Sequence, residues 1–180
     1  MRSLADEARI RAFLRALGRA AKSPARVYLT GGATAVLHGW RSSTLDLDIK
    51  LVPDSSEVLR AIPALKESLQ INVKLASPDQ FIPVAAGWEE RSVFEAQEGL
   101  LTYLHFDLHA QALAKIERGH VHDLEDVAAM FERKLIAGPS LQAYFESIRP
   151  ELFRFPAVDP PSFATAVSDA IAKSARPLQP

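Results

Sequence analysis

The sequence predicts an α/β (α+β) fold, in which a small mixed β-sheet with flanking helices is followed by a helical C-terminal half. Three observations carry this prediction. A short apolar run at 27–30 ends at two glycines and leads into a short helix, as expected of a buried strand before a turn. Alternating segments at 45–52 and 71–75 indicate further strands. From Leu108 onward the apolar spacing becomes helical.

Composition bounds the class of protein. The chain has 180 residues, of which 48% are hydrophobic and 24% charged, enough for one domain with a hydrophobic core. The net charge of −1 provides no overall basic field, so any contact with RNA requires a local patch. Cysteine is absent, which excludes disulfides, thiolate zinc sites and a cysteine nucleophile. With no bilayer-length apolar run and no secretory signal, we expect a cytoplasmic protein without a membrane partner.

Besides the short helix after the two glycines, two longer helices are predicted before residue 70, and two strands follow them. An amphipathic helix is expected over 4–22, within an N-terminal segment of residues 1–25. A second helix over 55–68, capped by Asp54 or Ser55, is bent or broken near Pro63. Two antiparallel strands, 92–98 and 100–106, turn around Gly99 and complete a core over 26–107. The side chains expected to face inward from the first helix are Leu4, Ile10, Phe13, Leu14 and Leu17.

The second half is predicted to be helical. Helices are expected over 108–118, 122–134 and 140–148, as a helical part of the same domain spanning 108–150. A proline-rich stretch and a last helix at about 162–174 form a C-terminal arm over 151–180. In the helix over 122–134 the side chains expected to face inward are Leu124, Val127, Ala128 and Phe131.

The stretch from Gly31 to Asp48 contains the residues that indicate chemistry. Gly31 and Gly32 can adopt positive φ and expose backbone N–H groups at a helix start, which suits a phosphate. Asp46 and Asp48 are two apart on a strand, so their carboxylates share one face, while Leu45, Leu47 and Ile49 face the core. Two such carboxylates repel, and a divalent cation bridging them to substrate phosphates relieves that repulsion.

This stretch resembles the polymerase-β-like nucleotidyltransferase superfamily, whose signature is Gly-Gly, a short helix and Asp-x-Asp. The added Arg-x-x-Thr and the Gly-Trp-Arg turn resemble its AbiEii-type branch, found in toxin–antitoxin and phage-defence modules. The resemblance implies a metal-dependent enzyme that uses Mg²⁺ or Mn²⁺ and a nucleoside triphosphate. Carried over, Asp46 and Asp48 are catalytic and hold the metal. The nucleotide-binding set implied is Gly31, Gly32, Thr34, Arg41 and Thr44, with Thr30 nearby.

A second constellation lies in the helical half. Lys115 and Arg118 share one helix face, and Asp123 and Asp126 share a face of the next helix. This pattern also resembles the AbiEii-type branch, which implies that Lys115 binds nucleotide phosphates and Arg118 orders the helix pair. Asp123 or Asp126 is then a second catalytic acid. A structural reading stays open, in which Asp123 caps its helix and Asp126 pairs with Arg118.

One position departs from the superfamily pattern. Relatives bring a third carboxylate from a neighbouring strand, but the matching strand 71–75 offers Asn72 and Lys74. An ammonium at Lys74 would neutralise the acid pair and oppose a cation. Catalysis then proceeds with two carboxylates, or another acid such as Glu95 replaces the third, or the protein binds without efficient transfer.

The favoured expectation is transfer of a nucleotidyl group from a nucleoside triphosphate to a hydroxyl on RNA (a tRNA) or protein, within a toxin–antitoxin module. The alternative is a catalytically weak or inactive binding module, an antitoxin or assembly subunit. A metal-dependent phosphohydrolase is a weaker reading, because no histidine–carboxylate cluster accompanies the acid pair. His105, His109, His120 and His122 are expected at the surface or at helix caps.

Overall fold

The computed structural model describes residues 4–175 and confirms the predicted α/β class. The described part of the chain divides into two compact units, one of residues 4–77 and 92–106, the other of residues 78–91 and 107–175. Among residues 4–175, no helix is both long and apolar enough to cross a membrane.

The first unit is built on a mixed sheet, to which the described residues contribute five strands. They are β1 (Ala25–Thr30), β2 (Asp46–Val52), β3 (Asn72–Leu75), β4 (Val93–Glu98) and β5 (Leu101–His105), in the order β3-β2-β1-β5-β4. β1 runs antiparallel to β2 and parallel to β5, β2 runs parallel to β3, and β4 runs antiparallel to β5. The predicted hairpin around Gly99 is therefore confirmed.

Helices α1 (Glu7–Ala20), α2 (Gly32–Leu37) and α3 (Ser56–Ser68) complete this unit. Its core is formed where one face of the sheet packs against side chains of α1 and α3. The Ser55 side chain caps α3, as predicted, and α3 runs unbroken through Pro63, which is exposed. The core residues from β1, β2 and α1 include Val27, Leu29, Leu47, Ile49, Ile10, Phe13, Leu14 and Leu17.

The start of α1 differs from the prediction. Ala5 pairs with Thr44 through two backbone hydrogen bonds, which hold this segment in an extended conformation. Asp6 then caps the helix by accepting a hydrogen bond from the Arg9 backbone N–H. Leu4 consequently lies outside the helix and is exposed, so its predicted place in the apolar stripe is wrong.

The second unit is helical, as predicted. Its helices are α4 (Trp88–Arg91), α5 (Leu108–Arg118), α6 (Val121–Glu132), α7 (Gly138–Ile148) and α8 (Pro160–Ser174). Short 3₁₀ helices at Pro78–Gln80 and Arg149–Arg154 join them, the second within the stretch predicted as a linker or arm.

The buried face of α6 differs from the prediction. Of the residues expected to face inward, Val127 is buried, but Leu124 and Ala128 are exposed. The buried face instead carries Asp123, Asp126 and Met130. An apolar-periodicity argument cannot anticipate this orientation, because it places carboxylates outside unless their partners are known.

Candidate functional site

The acid pair lies on one face of β2. Asp46 and Asp48 are half-buried on that face, while Leu47 and Ile49 between and after them are buried in the core. The predicted sharing of a face by the two carboxylates is therefore confirmed. Leu45 precedes the strand and is 52% exposed, so its predicted burial in the core is wrong.

The diglycine turn lies directly beside Asp48. β1 ends at Thr30, which is the cross-strand partner of Asp48. Gly31 then takes φ +60° and ψ −126°, a conformation that L side chains rarely adopt. A Cβ added at Gly31 would lie 3.0 Å from Asp48 Oδ2. The carboxylate is thus packed against the glycine backbone, and a larger residue at this position would displace it.

Gly32 and Thr44 join the diglycine turn to β2. A Cβ added at Gly32 would lie 2.0 Å from Thr44 Oγ1, so only glycine allows this approach. The Thr44 hydroxyl donates a hydrogen bond of 3.0 Å to the backbone oxygen of Asp46. Thr44 is buried, and its side chain holds the start of β2 against α2. The nucleotide contact that the resemblance implies for Thr44 stays a prediction.

The structure places Thr34 in the interior. It is fully buried, and its hydroxyl lies 3.3 Å from the Leu29 carbonyl oxygen and 3.1 Å from His105 Nδ1. The nucleotide contact of Thr34 that the resemblance implies stays a prediction, and it would require this buried hydroxyl to become accessible. Arg41 follows α2 in the turn towards β2, where it is half-buried and its backbone N–H donates to the Ala35 carbonyl.

Both oxygens of the Asp46 carboxylate accept hydrogen bonds from β3. Lys74 Nζ lies 2.6 Å from Oδ2, and the side-chain amide of Asn72 donates to Oδ1. The parallel register of β2 and β3 causes this, since it pairs Asp46 with Asn72 and Asp48 with Lys74. The predicted approach of the Lys74 ammonium to the acid pair is confirmed at Asp46. The Lys74 side chain remains 50% exposed.

Glu95 does not replace the missing third carboxylate. It lies on β4, and two strands separate β4 from β2, a distance of about 14 Å at ordinary strand spacing. Glu95 contacts His105 Nε2 at 2.8 Å and Arg11 at 3.0 Å instead. The hydrogen bond from His105 lowers the pKa of Glu95 and outweighs the opposing effect of burial; the charges of His105 and Arg11 lower it further.

His105 is a buried residue, not the surface histidine expected from the sequence. It is 1% exposed and joins Thr34 to Glu95 through its two ring nitrogens. Its ring also lies 4.4 Å, centroid to centroid, from that of His38. The burial of His105 could have been predicted from the alternation along β5, because Leu101, Tyr103 and His105 fall on one face of that strand.

The second predicted constellation assembles inside the second unit. Lys115 Nζ lies 2.6 Å from Asp126 and 3.3 Å from Asp123. Arg118 binds both carboxylate oxygens of Asp123, at 2.7 and 2.6 Å. The four side chains lie together, and Asp126 contacts Lys115. The two readings of Asp126, as a catalytic acid or as a partner of Arg118, stay predictions. Asp123 lies in the first turn of α6, after the capping position His120.

The electrostatics of this cluster follow from its burial. Lys115, Asp123 and Asp126 are all nearly inaccessible, with side-chain exposures of 7%, 7% and 1%. Burial on its own raises the pKa of Asp123, but the hydrogen bonds from Arg118 and the charges of Lys115 and Arg118 outweigh it and lower the pKa. The cluster therefore ties α5 to α6 through charged groups that keep little contact with water.

The acid pair fits a magnesium ion that arrives with phosphates. Within residues 4–175 no three or more histidine or acidic side chains gather as an all-protein metal cage would require. Mg²⁺ is usually held by one or two carboxylates, water and substrate phosphates, which needs no such cage. The side chains of Lys74 and Asp46 are 50% and 27% exposed, so water partly screens their ion pair, which is worth about 1 kcal/mol and can be displaced by a divalent ion.

Comparison with known proteins adds no further support. No family model, curated protein or solved structure matches this chain. The resemblance to AbiEii-type nucleotidyltransferases therefore depends on the residues between Gly31 and Asp48 and on those around Lys115.

Proposed function

We propose that this chain is a nucleotidyltransferase, which moves a nucleoside monophosphate group from a nucleoside triphosphate to a hydroxyl on RNA or protein. One observation supports it above the others: Asp46 and Asp48 share a face of β2, and the Asp48 carboxylate packs against the diglycine turn at Gly31. This arrangement puts acidic metal ligands beside a backbone suited to phosphate, as the resemblance implies.

In the proposed reaction the acceptor hydroxyl loses its proton to solvent and its oxygen bonds to the α-phosphorus. The bond from that phosphorus to the bridging oxygen breaks, and pyrophosphate leaves. Asp46 and Asp48 would hold a Mg²⁺ or Mn²⁺ ion, which would supply charge neutralisation at the phosphate oxygens. Gly31 contributes close backbone approach to the phosphates, and Arg41 contributes positive charge. The site thus positions the triphosphate and offsets its charge.

Label transfer tests this proposal directly. The protein is incubated with each α-labelled triphosphate, Mg²⁺ or Mn²⁺, and total host RNA. We expect label on RNA or on protein, and Asp48→Asn reduces it at least about 100-fold because the metal loses a ligand. Asp54→Asn, the same change at an exposed position of the same unit, serves as the control and retains transfer. Transfer that is unchanged in Asp48→Asn contradicts the proposal.

A second candidate is a binding module that holds a nucleotide or a partner without efficient transfer. The observation that favours it is the engagement of both Asp46 oxygens by Asn72 and Lys74. It predicts triphosphate binding in calorimetry with no label transfer to RNA, to the chain itself or to a neighbouring protein. Under either function, the resemblance implies a cytoplasmic toxin–antitoxin partner, which co-purification with the product of the adjacent reading frame tests.

A further inference from the structure

Lys74 is the counter-ion of Asp46, and its position allows it to exchange Asp46 for another anionic partner. Its ammonium lies 2.6 Å from Asp46 Oδ2, yet half of its side chain is exposed. An exposed ion pair contributes little, because water screens the attraction and the long side chain loses freedom in holding it. The lysine can therefore leave Asp46 at small cost and remain close to the same face of the sheet, since its backbone is fixed beside Asp48 by the strand register.

The charges on this face determine what such an exchange does to metal and nucleotide binding. Asp46 and Asp48 together carry two negative charges, which repel a triphosphate when nothing offsets them. Lys74 offsets one of them. Once a divalent ion neutralises the two carboxylates, Lys74 supplies an additional positive charge beside the bound phosphates. The same residue thus weakens metal binding in the absence of nucleotide and strengthens nucleotide binding in the presence of metal.

We propose that Lys74 is a specificity-determining residue of the site, which makes the acid pair accept a divalent cation together with a triphosphate rather than alone. In the free protein Lys74 occupies Asp46 and competes with the cation. When the metal–triphosphate complex binds, Lys74 passes from Asp46 to a phosphate oxygen. This inference rests on the proposed function, because it assumes that the acid pair is a metal and nucleotide site.

Calorimetric titration of the full chain with Mn²⁺ alone, and then with Mn²⁺ and a non-hydrolysable triphosphate, tests the exchange. Lys74→Met removes the competing charge, so we expect Mn²⁺ alone to bind about tenfold more tightly. The same variant loses the phosphate contact, and triphosphate affinity in the presence of Mn²⁺ falls about tenfold. Lys74→Arg keeps the charge and is expected to bind Mn²⁺ alone as weakly as the unaltered chain.

Lys66→Met is the matched control, since it makes the same change on α3, which packs on the opposite face of the sheet. Lys66→Met is expected to change neither the affinity for Mn²⁺ alone nor the affinity for the triphosphate in the presence of Mn²⁺. One result overturns the role of Lys74 but leaves the proposed function standing. In it, Lys74→Met and the unaltered chain bind Mn²⁺ with equal affinity, and Asp46→Asn combined with Asp48→Asn still abolishes binding. Mn²⁺ binding that survives this double substitution, or that is absent from every variant even in the presence of the triphosphate, overturns the metal site and both proposals.

Discussion

Two clusters in this molecule use the same groups in different surroundings. On the sheet of the first unit, Lys74 contacts Asp46 at a position where the lysine side chain is 50% exposed. In the second unit, Lys115 contacts Asp123 and Asp126, and its side chain is 7% exposed. Each is an ammonium held by carboxylate oxygens at hydrogen-bonding distance.

Burial determines what each cluster can do. A phosphate that recruits Lys115 must take it from two buried carboxylates, which would then lack part of their compensating charge. A phosphate that recruits Lys74 takes it from one carboxylate that water and Asn72 continue to solvate. Lys74 is therefore the more available cation. Phosphate binding by Lys115, expected from the resemblance, requires the α5–α6 tie to open.

The largest effect expected from this difference is on stability. Lys115→Met leaves two aspartates buried with less positive charge, and we expect the free energy of unfolding to fall by about 3–5 kcal/mol. Lys74→Met, the same change in the exposed cluster, lowers it by less than about 1 kcal/mol. Urea unfolding followed by circular dichroism measures both values.

A double substitution shows whether charge is the cause. Adding Asp126→Asn to Lys115→Met removes one of the two carboxylates left without their ammonium, so part of the lost stability returns. Equal losses in the two lysine variants, or no recovery in the double variant, would contradict the distinction between the buried and exposed clusters.

A smaller loss of stability is expected when the backbone contact that positions the acid pair is disrupted. Gly32→Ala forces a methyl group into Thr44 Oγ1, which lowers the free energy of unfolding by about 1–3 kcal/mol and weakens triphosphate binding. Gly39→Ala is the comparison: it faces open space but has φ +80°, so it costs about 1 kcal/mol through backbone strain. Triphosphate binding that survives Gly32→Ala would show that the approach of α2 to β2 does not shape the site.

The smallest effect is on acid stability. The folded pKa of Asp123 lies below its ordinary value of 3.8, so in acid the unfolded chain binds a proton before the folded one does. The stabilisation from this group is complete above pH 3.8 and is lost as the pH falls through the lower folded pKa. Unfolding free energies at a series of pH values are expected to fall less steeply in Asp123→Asn than in the control Glu125→Gln, an exposed position on the same helix. Equal slopes would contradict the ion-pair account.

Features governed by neighbouring residues were predictable from the sequence. Alternation placed Asp46 and Asp48 on one face, the glycine at 99 marked a hairpin, and Ser55 was one of the two candidate caps, with Asp54. The four charged residues of the α5–α6 pair were also found, since three-residue spacings bring such side chains to one helix face.

Features governed by distant partners were not predictable. The burial of Asp123 and Asp126 depends on Lys115 and Arg118, and without those contacts a carboxylate is expected outside. Likewise, the interior position of Thr34 depends on His105, which is 71 residues away. Apolar periodicity carries no information about such pairs, so His105 was expected at the surface or at a helix cap. The nucleotide role expected of Thr34 came instead from the family resemblance.

The proposed function requires that the acid pair beside the diglycine turn hold a metal–triphosphate complex. Anomalous diffraction from crystals soaked with Mn²⁺ and a non-hydrolysable triphosphate tests it most directly. The account predicts a manganese peak about 2.1 Å from carboxylate oxygens of Asp46 and Asp48, with Lys74 moved from Asp46 to a phosphate. A triphosphate bound elsewhere, or no manganese at these two carboxylates, would contradict it.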